Sequence, residues 1–580
     1  MIRMNAQARM CQRKPLAAIM LTLLSFTGGA YAQTAPRLSS EQLQQIEQLK
    51  QLQPKIPNPL PVNPKLDLRI LTPEKSAIPK AVDEIEFRVA AVNVDGATYF
   101  SQSEMSDLFA HLLGQNVSLS ELREAAKALE GKYRERGFFL ARVFVPPQRI
   151  KDGIFKIQVV EGYISQVLVD GQNDAMNEAV AAMAHRLLNF RPLDLASLER
   201  TLLIINDVPG VSITAVLRPG AVQGGSELIL TAKPLSNVYL GIFNNSGSQT
   251  TGPYSLGYSA TLQQPFNGLG QLNIGLAASG KSLSDMDGIS SAVARYSQTF
   301  GSSGLILSLG GLLSESKPGG TLEPLNVKSN ATSIAPRLRY PLLRSRASSV
   351  YLDAGFAVNN IVTTAFGEVL NNDRYTTVDV HTSWVLNGWM SGTQSLGLGF
   401  SKGVNSFGAM DRTALHPSTL GFEPAFTKYA ANVQRTQLLP NQFSAYISGN
   451  LQYSQDRLLG GERIAFGGTS IGRGFPAGII AGDKGQGMVL ELRRDINLGW
   501  DRLIQRPQIY VSVDSAVVHT NPSPTINVTR SHLSSKAIGV RLVLLKDTLL
   551  DLRFATSNQD LVTDDSRRNK RLLIEAITRF

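Results

Sequence analysis

Two periodicities divide the chain. From residue 84 to 234 the apolar positions switch repeatedly between the period of two typical of strands and the 3.6 typical of helices. After Pro234 helical periodicity largely disappears, and apolar and polar residues alternate, as from Tyr254 to Gln263 and from Leu550 to Phe554. The pattern predicts an α+β region followed by an all-β region that runs from 235 to 580.

The α+β region repeats one order of elements twice, which indicates two small domains of the same kind. In the first, 84–162, we predict a strand, two helices and two strands at 85–89, 103–113, 118–136, 140–145 and 154–160. In the second, 163–234, the same order is predicted at 164–169, 174–188, 195–205, 211–217 and 227–232, with a turn at Asp170-Gly171.

The all-β region is better explained by a membrane barrel than by a soluble sandwich, although both alternate in polarity. Its length, divided among sixteen strands, leaves roughly 21–22 residues for each strand and its connection. Short polar turns such as 298–304 interleave with long stretches such as 314–330, and the chain ends on an alternating strand with Phe580. We expect a 16-stranded antiparallel transmembrane β-barrel, with Phe580 as its signal to the assembly machinery.

The N-terminus has the order of a secretory signal peptide. Basic residues without an acidic one precede an apolar run from Leu16 to Phe26, and Ala30-Tyr31-Ala32 follows as a cleavage site. We therefore predict a signal peptide at 1–32. Cys11, the only cysteine, lies inside it, so the mature chain would hold neither a disulfide nor a thiolate metal site.

A short polar helix and a stiff linker are predicted next. Leu43, Ile46 and Leu49 recur at helical spacing in the segment 33–53. The segment 54–83 begins with a run rich in proline, which lacks amide donors and fixes φ. We interpret it as an extended linker to the first α+β domain.

Composition and charge mainly exclude functions. Mean hydropathy is -0.04. The net charge is +11, and four of the cations lie in the predicted signal peptide. The sequence contains no basic patch interleaved with aromatic residues, which would indicate nucleic-acid binding, and no phosphate-binding loop, which would indicate a nucleotide. The six histidines lack the spacing of metal ligands, and we expect carboxylates such as Glu491 and Asp495 to face a lumen or loops rather than a substrate. We expect no enzyme activity and no cofactor.

Several motifs resemble those of two-partner secretion transporters of the outer membrane. The run from Tyr133 to Arg142, together with Asp152-Gly153 and Val159-Val-Glu-Gly162, is similar to a POTRA domain of that family. The run from Leu198 to Val211 resembles the second POTRA domain. The resemblance covers nearly the whole mature chain, with the layout of plug helix, linker, two α+β POTRA domains and a barrel from 235 to 580.

One loop motif resembles the family's luminal lock. In Phe466-Gly-Gly-Thr-Ser-Ile-Gly-Arg-Gly-Phe475 the family's loop arginine matches Arg473, flanked by Gly472 and Gly474, although Gly472 stands where the family often has Val. The resemblance implies that this loop folds into the lumen and that Arg473 pairs with Asp514 on a nearby strand. Phe475 and Asp483 belong to the same candidate site. A guanidinium suits this role because it stays charged and binds a carboxylate at two points.

The family resemblance implies export of an unfolded partner. That partner would be a large exoprotein with an N-terminal secretion domain, such as an adhesin, haemolysin or contact-dependent toxin, recognised by the POTRA domains. Leu43, Ile46 and Leu49 would lie in the helix that plugs the resting pore. Two alternatives stay open: a barrel-assembly factor of the Omp85 type, which would normally carry three or more POTRA domains, and a passive porin, for which paired periplasmic domains would be superfluous.

Overall fold

A computed structural model describes most of the chain after the linker. The described residues are 67–70, 86–150, 152–171, 173–266, 269–497, 499, 503–523, 528–545, 547–558 and 570–580. The predicted signal peptide, the helix with Leu43, Ile46 and Leu49, and most of the linker lie outside them.

The strands and helices are numbered in chain order. The strands lie at Leu68–Ile70 (β1), Glu86–Arg88 (β2), Ala91–Asp95 (β3), Asn116–Ser118 (β4), Arg142–Phe144 (β5), Ile154–Val160 (β6), Tyr163–Gly171 (β7), Val211–Pro219 (β8), Gly225–Pro234 (β9), Val238–Asn244 (β10), Tyr254–Gln263 (β11), Gly270–Gly280 (β12), Ile289–Phe300 (β13), Leu305–Ser316 (β14), Lys328–Arg344 (β15), Ser348–Ala365 (β16), Glu368–Asn387 (β17), Gly392–Val404 (β18), Thr427–Leu438 (β19), Phe443–Tyr453 (β20), Ile464–Phe466 (β21), Ile480–Gly482 (β22), Lys484–Asp495 (β23), Ile504–Thr520 (β24), Thr529–Leu544 (β25), Thr548–Ser557 (β26) and Lys570–Arg579 (β27). The α-helices lie at Gln102–Phe109 (α1), Leu119–Glu135 (α2), Asp174–Ala184 (α3) and Leu195–Asn206 (α4).

The first α+β unit packs α1 and α2 on a sheet of order β3-β6-β5. Both helices begin with a capping box, from Ser101 to Glu104 and from Ser118 to Glu121, which satisfies orphan amides at the helix start. The strand predicted at 85–89 is only partly correct, because β2 pairs with β4 outside this sheet. The strand that pairs with β6 in this sheet is β3, and the two strands are parallel.

The second unit packs α3 and α4 on β7, β8 and β9, around a core of buried aliphatic residues. The turn predicted at Asp170-Gly171 is wrong, because β7 continues through Gly171 and pairs with β9 up to Ala232. Part of the predicted linker forms a strand. Its β1 segment lies parallel to β8 at the edge of this sheet, with Leu68 packed on the core.

Sixteen strands close into one antiparallel barrel, as predicted. The order runs from β10 to β20 and then from β23 to β27, and β27 returns to pair with β10. Short β21 and β22 form a separate hairpin. Among the described residues, no helix has both the length and the apolar character needed to cross a bilayer.

Alternation along each barrel strand separates a polar interior from an apolar exterior. On β24, Ser512 and Asp514 are buried, whereas Val511 and Val513 are 50% and 47% exposed. Successive residues of a strand point to opposite faces, so the buried polar side chains line the lumen and the exposed apolar ones face outward.

The second α+β unit contacts one end of the barrel, here called the near end. Arg344 at the end of β15 binds Asp207 after α4 at two points, with Nε–Oδ2 at 2.6 Å and Nη2–Oδ1 at 2.7 Å. The Tyr351 hydroxyl donates to Oδ2 of the same carboxylate at 3.0 Å. Arg344 is buried and the Asp207 side chain is 15% exposed, so a largely buried charged pair joins the two parts of the molecule. The opposite end is called the far end.

In the first unit, Glu161 closes the motif Val159-Val-Glu-Gly162. Its carboxylate accepts from the amides of Thr98 and Tyr99 at 2.8 and 3.0 Å, from the Thr98 hydroxyl, and from the Tyr133 hydroxyl at 2.7 Å. Burial by itself raises the pKa of the Glu161 carboxyl, but these hydrogen bonds outweigh burial and lower it. The side chain therefore ties the start of α1 to α2 and β6.

Glu161→Gln is expected to destabilise the first unit by about 1–3 kcal/mol, because an amide offers one acceptor where four donors converge. Urea unfolding of a fragment with both α+β units measures this, with exposed Glu135→Gln as the control. Because the folded pKa of Glu161 is lowered, its contribution is present above the ordinary carboxyl pKa of 4.5 and is lost as pH falls further. A variant as stable as the control would contradict this role.

Candidate functional site: the luminal loop

The connection between β20 and β23, residues 454–483, begins at the far end and folds into the barrel. The β21–β22 hairpin carries its tip, and the tip packs on the lumen wall. The contacting apolar residues of loop and wall form one cluster: Phe466, Ile471, Phe475, Ile480, Val489, Ala516, Val518 and Leu533. Phe475, predicted as part of the site, is thus an apolar anchor of the tip.

The two glycines that flank Arg473 are required by the backbone. Gly472 has φ +90°, a left-handed conformation that L side chains rarely adopt. A Cβ on Gly474 would lie 2.7 Å from the Ser557 amide and 2.9 Å from the Ser535 Cβ. Only glycine at these positions lets the tip turn and approach the wall this closely.

Arg473 is buried in the lumen, with 5% of the residue exposed. Its Nη1 donates to the Ser512 hydroxyl at 2.9 Å, and its Nε donates to the Thr469 carbonyl at 3.3 Å. Its Nη2 lies 3.4 Å from Oε1 of Glu491. The guanidinium therefore joins the loop to β23 and β24.

The expected side-chain pair between Arg473 and Asp514 is wrong. Asp514 accepts instead from the Gly472 amide at 2.8 Å, from the Arg473 amide at 3.5 Å and from the Ser535 hydroxyl at 2.7 Å. Its oxygens are thus committed to the backbone of the tip and to β25. Asp514 still holds the same loop, but through main-chain donors, and the carboxylate beside the guanidinium is Glu491.

Glu491 is the centre of a charged network on the lumen wall. Its side chain is 1% exposed, and Arg473, Arg493 and Arg541 lie at 3.4, 3.0 and 3.7 Å. From the sequence, Glu491 was expected only to face a lumen or a loop. The sequence could not show that Glu491 meets Arg473. The β23–β24 register places Glu491 opposite Ser512, which Arg473 also contacts, and this register is not visible in the sequence.

The network continues around the wall to β27. Asp551 pairs with Arg541 at 2.9 Å and with Arg553 at 3.3 Å, and Arg553 pairs with Glu575 at 2.7 Å. Arg553 also donates to the Thr469 carbonyl of the loop at 2.8 Å. Buried charges are tolerated when they are paired and hydrogen-bonded, so these paired side chains form a polar surface on the wall to which the loop binds.

Asp483 lies at the base of the loop rather than beside Arg473. The carboxylate is fully buried and accepts from the amides of Leu458 and Asn521 at 3.0 and 2.7 Å. Its ion-pair partner is Arg463, at 3.2 Å. The sequence-predicted residues thus separate into two groups. Gly472, Arg473, Gly474 and Phe475 form the tip and contact Asp514 on the wall, whereas Asp483 lies at the base of the loop.

Phe580 lies at the near end of the seam between β27 and β10. Its amide donates to the Tyr239 carbonyl at 3.0 Å, and its side chain is directed outward, with 73% of the residue exposed. Its ring approaches Gly241, where a Cβ would lie 3.1 Å from Cε2. The terminal residue thus closes the barrel without belonging to the luminal site.

Comparisons with known proteins agree on one family. The family described as haemolysin secretion/activation protein ShlB/FhaC/HecB matches residues 224–542, and the ShlB-type POTRA domain matches 87–162. The heme/hemopexin transporter protein HuxB of Haemophilus influenzae is 27% identical over 401 residues, covering 66% of this chain and 68% of HuxB. The outer membrane transporter CdiB of Dickeya dadantii is 23% identical over 413 residues, 69% of this chain and 71% of CdiB.

A solved structure supports the fold. That of CdiB from Escherichia coli superposes with a TM-score of 0.70 at 20% identity, covering 95% of this chain and all of that one.

Proposed function

The chain belongs to the haemolysin secretion/activation family ShlB/FhaC/HecB, and from this membership we propose that it exports an unfolded partner exoprotein through its barrel. The family match over the barrel is the observation that carries the proposal. The barrel lies in the outer membrane of a Gram-negative cell, with POTRA domains in the periplasm. The near end therefore faces the periplasm and the far end faces the outside.

The partner is proposed to be a large secreted protein with an N-terminal secretion domain. Similar proteins are named for transport of heme/hemopexin and hemolysin. An adhesin, a haemolysin or a contact-dependent toxin would each suit this chain. No nucleotide is needed, because folding of the partner outside makes its return unfavourable. The role requires neither catalysis nor a cofactor.

The luminal loop is proposed to act as a gate. The tip is bound to the wall by Arg473 and by the two amides that donate to Asp514, and it occupies space that a partner in transit needs. A bistable loop needs only a few kcal/mol between its two positions, and contacts of this kind supply that amount. The helix at 33–53 is proposed to plug the resting pore as well.

The remaining assignments follow the same layout. We take 1–32 as the signal peptide, 54–83 as the linker, 84–162 and 163–234 as the two POTRA domains and 235–580 as the barrel. Phe580 would present the barrel to the assembly machinery, and the exposed apolar bands would contact outer-membrane lipid.

Deletion of the gene tests this function. One large protein should disappear from the culture medium, while the amounts of other outer-membrane proteins stay unchanged in the same fractions. A general fall in outer-membrane proteins would favour a barrel-assembly factor. An unchanged medium with slower uptake of small solutes would favour a passive porin.

A further inference from the structure

A row of basic residues crosses the outward face of the barrel at the far end. Lys484 begins β23, His519 lies one residue before the end of β24, and Arg530 is the second residue of β25. The strand registers place Lys484 opposite His519 and His519 opposite Arg530. Residues directly opposite each other on one face have Cβ atoms about 4.5–5.5 Å apart, so the three side chains form one cluster.

The side chains of this basic row point away from the lumen. On each strand an exposed apolar residue lies on the same face as the basic one, because an even number of positions separates the two. These apolar residues are Met488 on β23, Val513 on β24 and Ile538 on β25. These three apolar residues are 44%, 47% and 59% exposed, as expected for surface that meets lipid. The basic row therefore lies at the outer edge of the apolar band.

Aromatic residues continue the same line on the neighbouring strands. Phe400 stands opposite Tyr429, and Tyr429 opposite Tyr453. Lys484 lies with Nζ 5.9 Å from the centre of the Tyr453 ring. Aromatic belts mark the boundary between hydrocarbon and headgroups. The basic row thus lies where lipid headgroups of the outer leaflet would meet the protein.

In the part of the chain that the structure describes, the cations of this row have no acidic partner. Among the described residues, no ion pair includes Lys484 or Arg530. The outward positions of β23 from 484 to 492, of β24 from 509 to 519 and of β25 from 530 to 544 contain no Asp or Glu. Like charges placed together on a sheet are destabilising, so this arrangement calls for an anion from outside the chain.

We propose that Lys484, His519 and Arg530 bind a phosphate group of the phosphorylated glycolipid in the outer leaflet. The two cations would flank the phosphate, with the imidazole between them as a further donor, and the acyl chains would lie on Met488, Val513 and Ile538 below. Fixed lipid at this site would brace the far ends of β23 and β24, the strands that seat the luminal loop.

Lipid binding by the purified chain tests the site directly and independently of secretion. The probe is lipid A with two phosphates, added to full-length protein in detergent and followed by native mass spectrometry. Lys484→Gln/Arg530→Gln is expected to weaken binding about 10- to 30-fold, because each cation near a lipid surface strengthens binding by roughly a factor of five. The single variants should each show a smaller loss, and all variants should keep the heat-dependent gel shift of a folded barrel.

A matched control removes two outward cations from the near end. Arg435 stacks on Trp389 at 4.7 Å and Arg494 on Phe443 at 5.1 Å, far from the basic row. Arg435→Gln/Arg494→Gln should bind lipid A as the parent does, and dephosphorylated lipid A should bind the parent weakly. Equal binding by Lys484→Gln/Arg530→Gln and the parent would overturn the proposal. So would equal loss in the control variant, or inorganic phosphate displacing the lipid at similar concentration.

Discussion

Replacing Arg473 by Ala should reduce export of the partner protein by about tenfold or more while leaving the barrel assembled. The change removes the contacts of the guanidinium with Ser512, Thr469 and Glu491. Loss of one charged hydrogen-bonding group costs about 1–3 kcal/mol, which shifts the loop by roughly 5- to 150-fold away from its bound position on the wall. We expect export to need this bound position, because a loop that is no longer held on the wall still lies in the lumen and obstructs the partner. Immunoblotting of the medium measures export, and the heat-dependent gel shift measures assembly.

Two further substitutions show whether the position or only the charge matters. Arg473→Lys keeps the charge but not the planar fork, so export should fall between that of the parent and that of Arg473→Ala. Arg412→Ala removes an arginine from another far-end loop, where the side chain is 70% exposed, and export should stay unchanged. Normal export by Arg473→Ala would refute the proposed gate.

The second large effect is expected at the junction of the second POTRA domain and the barrel. Arg344→Ala leaves the Asp207 carboxylate, whose side chain is 15% exposed, without a cation and with the Tyr351 hydroxyl as its remaining side-chain donor. Removing one partner of a buried ion pair typically costs about 3–5 kcal/mol. We expect faster hydrogen exchange in the near-end turn after β15 and in the end of α4, together with reduced export.

The neighbouring pair provides the control for this junction. Arg346 and Glu199 join the same two parts at 3.3 Å, but the Arg346 side chain is 57% exposed. Its replacement by Ala should cost less than about 1 kcal/mol. Combining Asp207→Asn with Arg344→Ala should recover part of the loss, because no charge is then left unpaired. Equal hydrogen exchange in Arg344→Ala and Arg346→Ala would contradict the role of the buried pair.

The barrel was predictable from the sequence because its physical requirements are repetitive. Each strand must alternate to face lipid and lumen, and this pattern, with Phe580, indicated a membrane barrel whose length suits the sixteen strands observed. The α+β units were predicted less well at their edges. The β1 segment pairs with β8 through backbone groups, which leave no mark in side-chain pattern, so a proline-rich stretch concealed it.

The luminal site was only half predictable. The motif around Arg473 was visible because the glycines have to be there for the tip to turn and fit. The partner of the guanidinium was misassigned because a carboxylate can bind main-chain amides as well as arginine. The position of the tip between β23 and β24 decides whether the Arg473 side chain contacts Asp514 or Glu491. That position is set by the packing of the loop and cannot be read from the sequence.

Passage of the partner through the lumen is the central claim, and site-specific photo-crosslinking tests it most directly. Asn432 and Val433 are adjacent on β19 and face the lumen and the outside respectively, with Val433 39% exposed. A photoreactive phenylalanine at 432 should crosslink, during secretion, to the protein that disappears from the medium of the deletion strain. The same residue at 433 should not. Absence of that adduct at 432, or an equal adduct at 433, would contradict export through this barrel.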